Sequence, residues 1–548
     1  MDSRARRTIL SRRQFLGAAA GLGVGALGAG AFELGLRRDE VGARPKSHYR
    51  AIVVGSGYGG GVTALRLGEA GVNTLILEKG RLWEAADDDG KRFSRMLPAD
   101  NRAGWFTAVP PSLVPSFRGV SMEQVARNAP SGQPVQAGIC DKVVHGAHTV
   151  FRGVAVGGGS MMNAAIAAIP TLAQVRAAFP DIDPTVFLDT YIERAKTMLR
   201  ISYRDMDWFE RTPWFQYARV GRQYADAAGY RVDYNGSAYS FDYMKREEAG
   251  EVPRSSLDFE QQYGNNYGRF GSVDQTYLAA ARKTGHVTLR PLTEVTGIRR
   301  ERSGEYVIST REIDRFGAEL RRDEIGCDEL YLSAGVLGTT ELLLRARETG
   351  TLPDLSEEIG RGYGNNGDIM VAHMLQPGHP AGTQQSLMGM INLDGRDDPV
   401  NPVYASMFSL PLPVETYALG YYVMVRTGDR ADIVYNRATN AVAINWPDDY
   451  TEHLRVRAQS VFDRVTHANG VDYRDDLFEG KVFTANTVHP MGGVVRGRAT
   501  DGYGRVKGYT KLHVNDASLL PGYLGCNPFM TITALAERNI EAILQGRK

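Results

Sequence analysis

The chain has 548 residues, of which 43% are hydrophobic and 23% are charged, as in a soluble globular enzyme. This length exceeds one ordinary hydrophobic core and predicts two domains. With 64 basic against 63 acidic residues, the net charge of +1 excludes the electrostatic attraction on which nucleic-acid binding depends. Cys140, Cys327 and Cys526 show neither metal-ligand spacing nor a disulfide framework, so we expect most of them to be buried thiols and expect no metal site.

The first 43 residues are predicted to form an export signal and a linker that lie outside the folded domains. Arg12 and Arg13 precede a weakly apolar stretch rich in Gly and Ala, and a cleavage site is expected at Ala29-Gly30-Ala31. This pattern resembles a twin-arginine (Tat) signal and predicts a secreted protein. An amphipathic tail or a membrane anchor is the alternative. The stretch is too short and too weakly apolar for a stable transmembrane helix.

Residues 49–80 predict a complete nucleotide-binding unit of strand, glycine-rich turn, helix and strand. Gly55, Gly57 and Gly60 follow an apolar run with G-x-G-x-x-G spacing. Such glycines allow a tight bend, close approach of a pyrophosphate and close helix packing, while the helix N-terminus attracts phosphate. Glu78 ends the second strand, where its carboxylate would accept hydrogen bonds from a ribose. A purely structural turn is the alternative, but the complete unit favours nucleotide binding.

The next region combines a long irregular segment with a second glycine-rich turn. Residues 81–150 are rich in loops and predict a segment that covers or gates a site. Three consecutive glycines ending at Gly159 then lie between apolar runs and precede Asn163. This pattern predicts a backbone that passes close to a flat ligand, with the Asn163 side chain directed at it. A flexible linker is the alternative, although linkers lack such apolar flanks.

Later segments predict the remainder of both domains. Residues 328–343 predict a third strand–glycine–helix element, so the dinucleotide domain is discontinuous. Alternating strands between 367 and 477, with a helix over 455–469, predict an antiparallel sheet that serves a substrate domain. The predicted fold class is α/β, with a discontinuous Rossmann-like domain and an α+β substrate domain. Further short strands are predicted at 286–290, 305–310, 319–322 and 328–332.

Two C-terminal stretches carry the residues predicted for chemistry. His489 is held by a following proline and faces the open space left by two glycines. Asn527 also precedes a proline, ahead of a helix predicted over 531–540. An imidazole and an amide can position an alcohol oxygen while a carbinol hydride leaves to a flavin. Asp516 ends a predicted strand, where its carboxylate would lie beside the ribityl chain of such a cofactor.

Five stretches, in order along the chain, resemble the glucose–methanol–choline (GMC) oxidoreductases, and among these the bacterial cholesterol oxidases that bind FAD non-covalently. They are GSGYGGGVTALRLGEAGVNTLILEKG, RGVAVGGGSMMN, KREEAGEVP with YGNN, SAGVLGTTELLLRARETGTLP, and HPMGG with GCNPFMTITALAERN. The resemblance implies that His489 and Asn527 hold a steroid 3-hydroxyl. It further implies that FAD is lined by Tyr58, Gly59, Glu78, Gly159, Asn163, Ile166, Val295, Ala517, Asn527 and Phe529.

The resemblance also sets the predicted domain limits. Residues 48–366 and 478–548 are assigned mainly to the FAD-binding domain, with substrate-domain insertions near 85–150 and 170–270. Residues 367–477 are assigned mainly to the substrate-binding domain.

Ser406 is the main departure from the family pattern. The related oxidases carry a glutamate there, which moves a proton from C4 to C6 and converts the 5-ene into the 4-ene ketone. A serine hydroxyl is not a useful base at neutral pH, so this shuttle should fail. Glu415 is the nearest acid in sequence, but the family carries an acid there too, which predicts a structural role. Further departures near the flavin or before the active-site histidine are Ala164, Ile166 and Asn486.

The sequence thus predicts an exported FAD-dependent oxidase that converts the 3-hydroxyl of a sterol to a ketone, with isomerisation weak or absent. Oxygen would be reduced to hydrogen peroxide. One alternative is an FAD-dependent dehydrogenase of another bulky alcohol with a different electron acceptor, and another is a flavin-bearing binding or sensor protein without turnover. The expected partners are a sterol or bulky alcohol, molecular oxygen and, transiently, a membrane surface from which the substrate is extracted.

Overall fold

The computed structural model describes residues 47–112, 116–117, 120–121, 134–146, 148–384, 386–410, 412–474 and 486–546. The predicted export signal and its cleavage site lie outside these residues, as does part of the predicted 85–150 insertion. No helix in the described ranges combines the length and the apolar character that a membrane crossing requires. The three cysteines are buried and free, as predicted.

A mixed sheet, seven-stranded within the described ranges, contains the nucleotide-binding unit. Its order is Val287–Arg290, Thr74–Leu77, Ser47–Val54, Glu319–Leu332, Tyr306–Ile313 and Thr293–Arg300, with Leu512–Val514 paired to Glu319–Leu332. The strands at 51–54 and 74–77 are buried at every residue, as expected where helices cover both faces. The separate strands predicted at 319–322 and 328–332 are one continuous strand. The first part of this strand pairs antiparallel with Tyr306–Ile313. Its later part, up to Leu332, pairs parallel with Ser47–Val54.

Helices from distant parts of the chain pack beside the glycine turn. Tyr58–Glu69 packs against both Tyr277–Lys283 and Phe529–Gln545. The Arg66 guanidinium donates to both carboxylate oxygens of fully buried Glu537, at 2.8 and 2.7 Å. Bidentate charge-assisted bonds of this kind fix orientation, so they lock the C-terminal helix onto the first. The sequence pattern predicts these two helices over 61–70 and 531–540, and in the structure they begin three and two residues earlier, at Tyr58 and Phe529.

A second sheet is antiparallel throughout and confirms the predicted α+β arrangement. Its strand order is Asp368–Met374, Ala418–Val425, Val403–Phe408, Asn392–Gly395 and Arg231–Asp233. Side chains alternate between its faces: Ala405 and Tyr421 belong to the core shared with Gln216–Ala227 and Tyr450–Asn469, whereas Tyr404 and Tyr422 belong to the core of the first sheet. Ser406, two residues after Tyr404, is therefore directed toward the first sheet.

A hairpin of Cys140–His145 and His148–Gly153 begins inside the region 81–150, so the prediction of loops is wrong for that part of the region. Asn486–Thr487 adds to it in parallel, with Asn486 beside Thr149 and Thr487 beside Val150. This pairing places the segment before His489 next to the strand that leads into the second glycine turn.

The remaining elements are shorter or peripheral. The other strands are Ser116–Phe117, Val120–Ser121, Ile166–Ala167, Gly236–Ser237, Asp432–Asn436 and Ala441–Asn445. The other helices and helical turns are Gly158–Met161, Leu172–Ala178, Pro184–Val186, Phe187–Ile192, Glu193–Met198, Met206–Arg211, Pro213–Phe215, Phe241–Glu248, Glu260–Tyr263, Gly335–Glu348, Leu387–Gly389 and Ala517–Leu519.

Candidate active site

A cavity of about 760 Å³ is lined by residues of both sheets. This volume lies in the range of small-molecule and cofactor sites, roughly 300–1,000 Å³. Every site residue predicted from the sequence lines it except Gly60. The predicted residues in the lining are Gly55, Gly57, Tyr58, Gly59, Glu78, Gly159, Asn163, Ile166, Val295, Ser406, His489, Asp516, Ala517, Asn527 and Phe529.

The glycines at this site divide into packing positions and open positions. A Cβ atom at Gly60 would lie 2.1 Å from the carbonyl oxygen of Gly55, so Gly60 serves helix packing and does not line the cavity. At Gly57 the nearest atom would be 3.8 Å away, and at Gly159 nothing lies within 4 Å. No side chain caps the helix that begins at Tyr58. The open glycines and the uncapped N–H groups thus leave space and donors for a phosphate.

Glu78 connects the two glycine turns through Ser56. One Glu78 oxygen accepts from the Ser56 N–H at 2.9 Å and from its hydroxyl at 2.7 Å, and the other accepts from the Gly80 N–H at 2.7 Å. The Ser56 hydroxyl also accepts from the Gly157 N–H at 3.0 Å. Burial raises the pKa of Glu78, and these donors oppose that shift. Glu78 keeps further lone pairs that can accept from a ribose.

Tyr58 and Phe529 are a stacked aromatic pair in the cavity lining. Their rings stack with centroids 5.1 Å apart and an interplanar angle of 17°. The Asn163 amide donates to the Tyr58 hydroxyl at 2.7 Å, which fixes both side chains where the two glycine turns meet. Asn163 lines the cavity, and its side chain also orients the ring of Tyr58.

Asp516 has its carboxylate fully engaged by the protein. One oxygen accepts from the Gly335 N–H at 2.9 Å and from the Thr339 hydroxyl at 2.5 Å. The other accepts from the N–H and the hydroxyl of Ser518, at 2.9 and 2.5 Å. Burial raises its pKa. Asp516 thus holds the N-terminus of Gly335–Glu348 and the turn that presents Ala517 to the cavity.

His489 is oriented by a buried carboxylate that the sequence did not indicate. Its Nδ1 lies 3.0 Å from Asp368 Oδ1, and Asp368 is fully buried. The second Asp368 oxygen accepts from the hydroxyls of Thr487 at 2.6 Å and Tyr422 at 3.0 Å. Because a carboxylate only accepts, it assigns the imidazole proton to Nδ1 and leaves the Nε2 lone pair for the cavity.

Asn527 meets this imidazole on its other side. The Asn527 amide nitrogen lies 3.3 Å from His489 Nε2, at the long end of the hydrogen-bond range. The Asn527 amide oxygen is buried and has no hydrogen-bond partner among the described residues. Both residues line the cavity, so an alcohol oxygen placed there would meet a base, a donor and an unpaired acceptor.

Ser406 lies on the antiparallel-sheet side of the same cavity. Its hydroxyl donates to Asn392 Oδ1 at 2.6 Å, and the Asn392 amide donates in turn to Asn235. Among the described residues, the carboxylates in the cavity lining come only from the first sheet, its helix and the strand end before Ala517; they are Glu78, Glu294, Glu341 and Asp516. No acid is therefore supplied from the Ser406 side.

The other departures differ in where they lie. Ala164 and Ile166 line the cavity. Asn486 is not among the lining residues, but its amide donates to Met370 Sδ, 3.2 Å away, and Met370 lines the cavity. Glu415 accepts from the N–H groups at 381, 382 and 417, at 3.0, 2.6 and 2.7 Å. Glu415 holds a turn outside the cavity, as its predicted structural role required.

Comparison with known proteins supports the family resemblance. Residues 366–479 match the family model described as the C-terminal part of the GMC oxidoreductases. A cholesterol oxidase of Mycobacterium tuberculosis is 25% identical over 345 residues, 58% of this chain and 51% of that protein. A long-chain-alcohol oxidase of Arabidopsis thaliana is 46% identical over 59 residues, 11% of this chain and 8% of its own length. The chain thus spans about half the length of the cholesterol oxidase it matches.

Solved structures of low sequence identity share the fold. Pyridoxine 4-oxidase from Mesorbium loti aligns with a TM-score of 0.61 at 16% identity, covering 91% of this chain and 99% of its own. A formate oxidase of Aspergillus oryzae aligns with a TM-score of 0.58 at 13% identity, covering 92% and 99%. This likeness confirms the predicted fold class.

Proposed function

We propose that this chain is a GMC oxidoreductase acting on CH–OH groups, and that it oxidises the ring hydroxyl of a sterol-like alcohol to a ketone with FAD as its cofactor. The observation that carries the proposal is the His489–Asp368 pair beside the unpaired Asn527 oxygen in one cavity. A buried acceptor without a partner costs about 1–3 kcal/mol, which a bound alcohol would recover.

The cofactor end of the cavity fits FAD. The open positions at Gly57 and Gly159 and the uncapped helix at Tyr58 suit a pyrophosphate, and Glu78 suits an adenosine ribose. The relatives support this choice, because one of the similar structures is described by FAD modification in formate oxidase. FAD, when bound, would supply the acceptor for the carbinol hydride.

His489 would remove the hydroxyl proton of the alcohol. Its neutral Nε2 accepts that proton, and the adjacent Asp368 carboxylate stabilises the resulting imidazolium. The Asn527 amide nitrogen would donate to the alcohol oxygen as negative charge develops there. The electron pair of the carbinol C–H bond leaves as hydride, and two electrons with two protons reduce oxygen to hydrogen peroxide.

The substrate class is inferred from the cavity wall and from the relatives. Beyond His489, the lining is dominated by apolar side chains, among them Met162, Leu387, Met390 and Phe408. Two relatives are named for water-insoluble alcohols, cholesterol and long-chain alcohols. An apolar wall of this kind binds such molecules by removing hydrocarbon surface from water.

We expect oxidation without efficient isomerisation. Moving a proton from C4 to C6 of a steroid needs a base on the wall opposite the cofactor, and Ser406 supplies a hydroxyl that already donates to Asn392. The carboxylates that line the described cavity wall lie on the cofactor side. The immediate product would therefore be the 5-en-3-one.

Export by the Tat route remains a proposal based on residues 1–43, together with transient contact with a membrane surface to extract the substrate. Fusing these residues to a reporter that is active only after folded export would test the first point. Retention of the reporter in the cytoplasm would contradict it.

Product analysis tests the reaction. Purified protein loaded with FAD and incubated with cholesterol should yield hydrogen peroxide and the 5-en-3-one. Efficient formation of the 4-en-3-one would contradict the loss of isomerisation, whereas slow reoxidation of the reduced flavin by oxygen would favour a dehydrogenase. Ser406→Glu should increase 4-en-3-one formation, and Ser406→Ala, the matched control, should leave the product unchanged.

A further inference from the structure

The short helical turn Glu260–Tyr263, which does not include the catalytic residues His489 and Asn527, is held by a buried carboxylate. The turn Glu260–Tyr263 follows Phe259, whose φ of 64° is in the left-handed region, unusual for an aromatic residue. Buried Glu260 pairs with Lys91 at 2.5 Å. Its other oxygen accepts from the hydroxyl of Ser255 at 2.6 Å and from the amide of Asn266 at 2.9 Å. Strain of this kind persists only where the surroundings hold it and is concentrated at functional sites.

The far end of the turn is held as well. The Tyr263 hydroxyl donates to the carbonyl oxygen of Pro111 at 2.6 Å. Gln261 therefore lies between two fixed neighbours, and its position does not depend on bonds made by its own side chain.

Gln261 itself is a buried amide without partners. Its exposed fraction is 0%, and it lines the same cavity as His489 and Asn527. Neither its amide oxygen nor its amide nitrogen has a hydrogen-bond partner among the described residues. Adjacent Gln262 also lines the cavity, but its amide donates to the Pro111 carbonyl oxygen at 3.4 Å. Buried polar groups are nearly always paired in native proteins, so a rigidly placed amide with two free positions indicates a missing ligand group.

We propose that Gln261 forms a substrate subsite that recognises an uncharged oxygen group, a hydroxyl or a ketone, at a second position of the alcohol. This subsite rests on the function proposed above, since it belongs to the same cavity. The amide nitrogen donates to either group, and the amide oxygen accepts from a hydroxyl. The substrates would then be apolar alcohols that carry a second oxygen function, in preference to sterols that end in hydrocarbon.

The preference follows from the cost of leaving the amide unpaired. A ligand that ends in hydrocarbon would exclude water from Gln261 without replacing its hydrogen bonds, at about 1–3 kcal/mol. Sites built around a polar group discriminate strongly against analogues that lack it. We expect at least about tenfold tighter binding of the oxygenated ligand, which corresponds to about 1.4 kcal/mol.

Binding of steroids that cannot be oxidised tests the subsite separately from turnover. Three 3-ketosteroids would be titrated calorimetrically into the FAD-loaded protein, ending respectively in hydrocarbon, in a hydroxyl and in a ketone. Wild type should bind both oxygenated steroids about tenfold more tightly. Gln261→Leu should abolish this preference, and Gln262→Leu, the matched control, should retain it. Equal affinities in wild type, the result expected if water alone satisfies the amide, would overturn the proposal.

A second variant distinguishes the donor from the acceptor and protects the test against misfolding of the first. Gln261→Glu removes the N–H donor while keeping the shape, so it should weaken the ketone-ended steroid about tenfold or more relative to the hydroxyl-ended one. An unchanged ratio would also overturn the subsite. The matching 3-hydroxysteroids separate the two proposals: turnover without the preference contradicts the subsite, and the preference without turnover contradicts the oxidation.

Discussion

The two ends of the cavity differ in how their polar groups are satisfied. At the glycine-turn end, Glu78 and Asp516 are hydrogen-bonded within the protein and hold the surrounding backbone. At the end that contains His489, Asn527 Oδ1 is buried without a partner among the described residues, and so are both amide atoms of Gln261, which also lines the cavity. The first end is therefore assembled by the protein itself, whereas our proposals assign the unpaired groups of Asn527 and Gln261 to a substrate. Substitutions should accordingly separate cofactor binding from chemistry and selectivity.

Removal of the base should have the largest effect. His489→Ala eliminates the acceptor for the hydroxyl proton, and we expect kcat to fall by about 10³-fold, within the range for general base catalysis. Steady-state kinetics would measure the loss. The amount of bound FAD should be unchanged, because no contact of the glycine-turn end is altered. A loss below about tenfold would exclude His489 as the base.

Asp368→Asn should have the next largest effect, because it changes the protonation of His489 and leaves the shape similar. An asparagine amide can donate to Nδ1 and thereby favour the wrong tautomer, so kcat should fall by roughly 10²-fold with KM little changed. Thr487→Val is the matched control, since it removes a bond to the other Asp368 oxygen and the acceptor of the His489 backbone N–H but spares the side-chain pair of Asp368 and His489. Equal effects of both variants on kcat would point to a structural role only.

Two glycine substitutions should separate cofactor binding from packing. A Cβ at Gly159 meets no atom within 4 Å, so Gly159→Ala should fold normally and weaken FAD binding by roughly tenfold as the methyl group fills the cradle. At Gly59 the Cβ would lie 1.7 Å from the Asn515 carbonyl oxygen, so Gly59→Ala should lower the Tm of the apoprotein. Unchanged FAD affinity in Gly159→Ala would contradict the proposal that the cofactor binds at this turn.

Acid should destabilise the packing around His148, and this is the smallest of the expected effects. Burial lowers the pKa of His148, which stacks on Trp446, to about 4. In the unfolded chain, the imidazole of His148 binds a proton near pH 6.5. The neutral imidazole therefore contributes to the free energy of unfolding above that pH. About 3 kcal/mol of this contribution is lost as the pH falls toward 4. For a chain of this size the loss shifts Tm by only a few degrees.

His148→Phe keeps a stacking ring and should reduce that shift. Glu78 and Asp516 act in the opposite direction, since burial raises the pKa of both carboxyls. Their contribution is present at low pH and is lost as pH rises through the folded-state pKa. Thermal melts of wild type and His148→Phe between pH 4 and 8 would measure the difference, and superimposable profiles would exclude His148 as the source.

The sequence predicted the glycine-turn end more completely than the other end because its signals are local. The spacing of Gly55, Gly57 and Gly60 between two apolar strands defines one continuous unit, and the same holds for the run before Asn163. The strand at Glu319–Leu332 was divided in the prediction because its polar first half is stabilised by pairing with Tyr306–Ile313, which no local pattern shows.

The catalytic end depends on contacts between distant positions. Asp368 and His489 are separated by 121 residues, and their pairing arises from the antiparallel sheet and the Asn486–Thr487 strand. Gln261 carries no sequence signal, since an isolated glutamine in a turn is ordinary. Its distinguishing feature, two unpaired atoms in a cavity, exists only after folding.

Anaerobic reduction of the bound flavin tests the central claim most directly. Wild-type protein loaded with FAD and mixed with a 3-hydroxysteroid should lose its flavin absorbance in a single turnover, and His489→Ala should do so about 10³-fold more slowly. Absence of bleaching by any tested bulky alcohol, or equal rates in both proteins, would contradict the proposal that His489 and Asn527 form the site of alcohol oxidation.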